Sequence, residues 1–114
     1  MKLKEIVKKL DLTVCCGKET LDRQVSGGYA GDLLSDVIAN SKAGDVWVTM
    51  QVHLNIVAVA VLKELPAIIL VNGRSPSEET LRKAIDENVT ILASTKPAFE
   101  TVGKLYELHI GSKT

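Results

Sequence analysis

Apolar and polar positions alternate with two different periods along this chain. Near the N-terminus, "KLKEIVKKLDL" sets Leu3, Ile6, Val7 and Leu10 at helical spacing with lysines opposite, which predicts a short amphipathic helix. "LTVCC" is a short β-prone run that stops at Gly17, and "KETLDRQ" is polar and irregular. "VSGGYAGDLLSDV" follows. Its Gly27, Gly28 and Gly31 read as turn and packing residues. Asp32 reads as the N-cap of a helix whose apolar stripe is Leu33, Leu34, Val37 and Ile38. After the turn "ANSKAGD" the pattern changes. "VWVTM" predicts a strand. "HLNIVAVAVLKEL" is apolar nearly throughout, and its length and the stop at Pro66 favour a buried helix.

"AIILV" is a continuous apolar run of the kind buried in parallel sheets, and so is "VTILA". Between them, "NGRSPSEETLRKAIDEN" predicts a helix. Its expected N-cap is Ser75, with Pro76 at the first helical position, Glu78 three residues after the cap, and Asn88 as the stop. A last helix is expected in "STKPAFETVGKLYELHIG", with Phe99, Val102, Leu105 and Tyr106 facing inward, His109 in its final turn and Gly111 ending it. Strand and helix thus alternate from residue 46 onward. Parallel strands need crossovers, and helices supply them. The expected fold class is α/β, a three-layer α/β/α arrangement with a small, mostly parallel sheet, in one domain over residues 1–114.

Composition narrows the function. Apolar residues make up 46% and aromatic residues 4%, so the core is built from Val, Ile, Leu and Ala, with few rings to stack on bases. Fourteen basic and fourteen acidic residues cancel, which disfavours nucleic acid as a partner. The lysines at positions 2, 4, 8 and 9 read as a solvated helix face. No apolar run has the length of a signal sequence or a membrane span. Cys15 and Cys16 are adjacent, a poor arrangement for bridging each other. The chain reads as a cytoplasmic protein in a reducing compartment.

Open parallel sheets bind ligands beyond the carboxyl ends of their strands. Those ends carry Cys15 and Cys16; Thr49, Gln51, His53 and Asn55; Asn72, Gly73 and Arg74; and Ser94, Thr95 and Lys96. Thr49, Gln51, His53, Asn55, Asn72, Gly73 and Thr95 are therefore candidate ligand residues, with Gly27 and Gly28 as one wall. "SGGYAG" misses G-x-G-x-x-G by Ser26, the run before it is polar, and Asp32 at the helix mouth would repel a phosphate. No G-x-x-x-x-G-K-[ST] loop occurs, which disfavours kinase or ATPase chemistry. Neither is there a G-x-S-x-G elbow or a metal-ligand spacing of Cys and His. Cys15 with His53 is the one candidate nucleophile–base pair.

"DRQVSGGYAGDLLSDV", "GDVWVTMQVHLNIVAVAVLKELPAIILVNG", "SEETLRKA" and "KPAFETVGKLYEL" together resemble the DRTGG domain family, over residues 12–110. Asp22, Arg23, Gly27 and Gly28 stand where the naming residues fall. Gln24, Val25 and Ser26 lie between, so the name is not spelled out literally. The resemblance implies an α/β fold similar to the N-terminal domain of HPr kinase/phosphorylase. It also implies a regulatory or dimer-forming accessory of the kind found within some phosphotransacetylases and between the CBS domains of some pyrophosphatases. It brings no established activity, and the missing phosphate loop speaks against a kinase.

The resulting expectation is a non-catalytic regulatory or ligand-sensing domain, homodimeric, with a small-metabolite or nucleotide effector at the carboxyl ends of the strands. No cofactor, metal, nucleic acid or membrane is expected as a partner. A purely structural dimerisation or protein-interaction module is the alternative, and a small cysteine-dependent enzyme is the second.

Overall fold

The computed structural model describes residues 1–110. The elements in chain order are α1 (Leu3–Leu10), β1 (Thr13–Cys16), a 3-10 turn (Lys18–Thr20), β2 (Gly27–Ala30), α2 (Leu34–Asn40), β3 (Asp45–Thr49), α3 (Asn55–Lys63), β4 (Ala67–Leu70), α4 (Glu78–Asp86), β5 (Ile91–Ala93) and α5 (Ala98–Glu107). The strands form one sheet in the order β1-β5-β4-β3-β2, with β2 to β5 parallel and β1 antiparallel to β5.

Each inner strand buries both faces, because alternate side chains feed two separate cores. Val46, Val48, Ile69, Val71 and Leu92 pack with Leu3, Ile6 and Leu10 of α1 and Leu105 of α5. Trp47, Ile68, Leu70 and Ile91 pack with Val37 of α2, Ile56, Val57 and Ala60 of α3, and Ala84 of α4. The three crossover helices α2, α3 and α4 therefore share one face, and α1 and α5 share the other. This is the three-layer α/β/α arrangement that the pattern predicts.

Helix ends follow local chemistry. Glu64 and Asn88 adopt left-handed backbone conformations (φ 55° and 59°) just after α3 and α4. Leu65 N–H donates to Ala60 O and Val89 N–H to Ala84 O, so helix-end carbonyls are satisfied by a reversal before Pro66 and at Asn88. The polar 18–24 stretch is a strap rather than a loose loop. Leu3 and Lys4 at the start of α1 donate their N–H groups to Arg23 O and Leu21 O, each at 2.9 Å. A Lys4–Asp22 ion pair flanks this junction, and the Lys4 ammonium, by hydrogen bond and by charge, holds the Asp22 carboxyl below its usual range. The Arg23 guanidinium donates to Asn88 O at 3.1 Å.

Several sequence expectations are corrected. Gly27 and Gly28 are not in a turn. They open the edge strand β2, paired in register with Asp45 and Val46. Asp32 does not cap α2: the N-cap is Leu33, without a side-chain bond, and Leu33 is 68% exposed rather than inward. The cap of α4 is Ser77, whose hydroxyl accepts from Thr80 N–H; Ser75 and Pro76 precede the helix. Thr80 decides between the two serines, because its hydroxyl also donates to Val52 O and so anchors the helix start to the neighbouring loop. Phe99 and Tyr106 point outward, 91% and 83% exposed, and Thr101 and Leu105 face the core. Thr101 wins its place because its hydroxyl bonds to Pro97 O and Ser94 Oγ. The last helix ends at Glu107, His109 lies just beyond it with φ 57°, and Gly111 is outside the described residues. No helix among the described residues is long and apolar enough to cross a membrane.

Candidate functional site

A crevice opens in a parallel sheet where the helices following two neighbouring strands leave to opposite faces. Here that condition holds between β4 and β5. The segment after β4 runs to α4 on one face, and the segment after β5 runs to α5 on the other. The two loops meet through Asn72 N–H to Lys96 O at 2.8 Å and Gly73 N–H to Ser94 O at 3.0 Å. Asn72 and Gly73 are both left-handed (φ 64° and 69°), and a Cβ added at Gly73 would meet open space. Asn72, Gly73, Arg74, Thr95 and Lys96 are exposed. Neither loop, "VNGRSPS" or "STKP", carries an acidic residue, so Arg74 and Lys96 are the charged side chains of the loops themselves, between the acidic first turns of the flanking helices. Ser94 is buried and spent internally, accepting from Lys96 N–H and bonding Thr101.

The β3 end is tied down by Asp32. One carboxylate oxygen accepts from the Thr49 hydroxyl and from Met50 N–H, both at 2.8 Å. Gln51 donates its side-chain amide to Asp32 O, and its own N–H goes to the Thr49 hydroxyl. Thr49 is buried, so both it and Asp32 serve this clamp. His53 is exposed; its Nδ1 accepts from the N–H of Asn55, the first residue of α3. Gly31 O accepts from the Trp47 indole, which fixes the β2–α2 turn against the sheet. The Tyr29 hydroxyl donates to the Asp36 carboxylate, which pushes its pKa up.

Thr49, Gln51, His53 and Asn55 thus lie together at the β3 end, and Asn72, Gly73 and Thr95 at the β4–β5 end. Gly27 and Gly28 belong to neither group, since they start β2 at the opposite edge. Sequence reasoning passed over Arg74 and Lys96 as choices among the strand-end residues; the acid-free composition of their loops is the signal that singles them out.

Cys15 and Cys16 do not meet His53. β1 runs antiparallel, so Cys16 pairs with Ile91 at the amino end of β5, while His53 follows the carboxyl end of β3. Both thiols are free and half-buried. Burial pushes the Cys15 thiol up, and Cys16 beside it adds to the rise. Burial also pushes Cys16 up, outweighing a backbone hydrogen bond at Ile91. A nucleophilic cysteine needs the opposite shift. Among the described residues no cluster of three or more His, Cys, Asp or Glu side chains could hold a metal ion.

No family model and no curated protein matches the chain. Among solved structures it is similar to the CBS and DRTGG domains of the regulatory region of a Clostridium perfringens pyrophosphatase, complexed with an activator, diadenosine tetraphosphate. The TM-score is 0.69 at 16% identity, over 91% of this chain and 45% of that one. The fold is DRTGG-like. The likeness is one of backbone, and this chain spans less than half the length of that neighbour. The DRTGG-like fold accounts for nearly all of the described residues.

Proposed function

We propose that this chain is a regulatory, ligand-sensing domain rather than an enzyme, that it works as a homodimer in a reducing, cytoplasmic setting, and that its effector is a small anionic metabolite of the nucleotide class. The observation that carries the ligand class is the acid-free pair of loops at the β4–β5 crevice, with Arg74 and Lys96 exposed and Asn72 and Thr95 beside them. The DRTGG-like fold supports the regulatory role, since the similar pyrophosphatase region is regulatory and was complexed with a dinucleotide activator. The separation of Cys15 and Cys16 from His53 argues against the cysteine-enzyme alternative. The exposed aromatic residues of α5 favour, as a second reading, a module whose main task is association.

Thermal shift tests the ligand claim. A ligand at about one hundred times its Kd stabilises by about 2.7 kcal/mol, a rise of several degrees for a domain of this size. AMP, ATP, diadenosine tetraphosphate and acetyl-CoA form the panel. At least one should shift the melt, and the Arg74→Ala/Lys96→Ala variant should melt normally without responding. A folded protein that answers to none of them, or a response that survives in the double variant, would refute the site.

A further inference from the structure

We infer that the outer face of α5 is the surface on which a second copy of this chain docks, through an antiparallel α5–α5 pair crossing at Gly103. The inference rests on the homodimer part of the proposal above and names its interface. Two of the chain's four aromatic residues, Phe99 and Tyr106, project from this face. Helical geometry places Phe99, Gly103 and Tyr106 on one stripe, with half-buried Val102 at its inner margin, apart from the inward Thr101 and Leu105. α5 is therefore apolar on two sides, and the described residues cover only one.

Gly103 is the second observation. It sits mid-helix with an ordinary backbone, and a Cβ added there would touch nothing within 4 Å. Glycine weakens a helix interior relative to alanine, and no contact among the described residues requires it. Close approach of another backbone does, and Gly103 lies one turn from Phe99 and one from Tyr106 on the same stripe. An antiparallel pair centred there sets Phe99 of one copy against Tyr106 of the other. Beside those residues is a cavity of about 120 Å³ between α5 and the small edge-strand residues Gly28 and Ala30. A cavity of roughly 150 Å³ holds a benzene ring, so this one, open on one side, is of a size to admit the edge of an aromatic side chain.

Charge is complementary as well. Glu100, Lys104 and Glu107 flank the stripe on one side, and the two-fold brings Lys104 of each copy toward Glu100 of the other. A buried aromatic side chain removes roughly 150–250 Å² from water. Two nearly bare rings on each copy thus supply roughly 600–1,000 Å², against about 1,200 Å² for a small specific interface. The neighbouring stripe residues can supply the rest, which fits a dimer of modest affinity.

Sedimentation velocity between about 1 and about 200 µM tests this. The wild type should pass from monomer to dimer, and Phe99→Ser and Tyr106→Ser should remain monomeric with unchanged circular dichroism. Gly103→Ala should melt about 3–5 °C higher at the dilute end, yet associate at least tenfold more weakly. Lys104→Glu should weaken association, and adding Glu100→Lys should restore it. Leu62→Ser, on the exposed side of α3 (Leu62 is 65% exposed), should leave association intact. A wild type that stays monomeric overturns this inference and the homodimer together, while leaving the effector claim to its own test. A dimer broken by Leu62→Ser and indifferent to Phe99→Ser overturns this surface alone. So does a Gly103→Ala variant that gains stability and loses no association.

Discussion

Asp32 distinguishes two accounts of the same residue, helix cap and loop clamp. In the structure its Oδ1 accepts two hydrogen bonds at 2.8 Å, from the Thr49 hydroxyl and from Met50 N–H, across the ends of β2 and β3. Hydrogen bonds to an ionised group contribute about 1.5–3 kcal/mol when sheltered and less at an exposed site such as this one. Asp32→Ala also leaves the hydroxyl proton of buried Thr49 without an acceptor, so the total loss should be about 2 kcal/mol. For a domain of this size that lowers the melting temperature by about 6–8 °C. Asp32→Asn keeps a neutral acceptor in the same place and should lose about half as much. The Gln51 side-chain amide donates to the backbone carbonyl of Asp32, a bond that survives both changes. Amide hydrogen exchange locates the effect: Met50 should lose about 30-fold of its protection in Asp32→Ala if the local opening takes the full 2 kcal/mol. The amides of Leu34 and Ser35, at the start of α2, should be unmoved. If those amides lose protection and Met50 keeps it, Asp32 is a helix cap and the clamp is wrong. A variant melting within about 1 °C of wild type would show that the two bonds hold nothing.

Two further outcomes follow from the structure. Because burial raises both thiol pKa values, Cys15 and Cys16 stay protonated at neutral pH, and the stability that goes with their neutral form is lost only as pH rises through those raised values. Iodoacetamide should therefore label the folded protein at least about tenfold more slowly than the unfolded chain at neutral pH, and equal rates would contradict the burial account. Ser77→Ala should remove about 1 kcal/mol by urea unfolding, whereas Ser75→Ala should stay within a few tenths; equal losses would return the cap of α4 to Ser75.

The alternation of elements after residue 45 is legible because β3, β4 and β5 sit between two helical layers. Strands buried on both faces read as unbroken apolar runs, and "AIIL" has no polar position to confuse with a turn. β2 is not legible for the converse reason. An edge strand needs only one neighbour, and Gly-Gly-Tyr-Ala becomes a strand through its pairing with β3 rather than through its own propensity. The inward face of α5 is only half legible because the helix carries two stripes. Spacing selects Phe99, Val102, Leu105 and Tyr106; Leu105 and Val102 do pack on the core, the two aromatic residues do not, and no local pattern reveals that Thr101 reaches the core through hydrogen bonds to Ser94 and Pro97.

The site divides along the same line between local and global information. The strand-end loops are legible because parallel strands must bring their carboxyl ends to one edge. Cys15 and Cys16 were assigned to that edge by the same rule, and the antiparallel entry of β1 sends them to the other. The β4–β5 crevice depends on which face each helix covers, and that emerges only when the two cores are assembled. The residues that stand where the family's naming residues fall work at the amino edge. Asp22 holds Lys4, Arg23 holds the carbonyl at the end of α4, and Gly27 lets β2 lie where any Cβ would come within 2.6 Å of the Asp45 carboxylate. These contacts fasten α1, β2 and α4 to the sheet and touch none of the loops at the carboxyl edge. At the carboxyl edge, the bonds between the β4 and β5 loops are made by backbone groups, so their side chains can change without disturbing the fold. Backbone likeness can then persist at 16% identity while the side chains of the carboxyl-edge loops vary, which is the freedom that the proposed effector site at Arg74 and Lys96 needs.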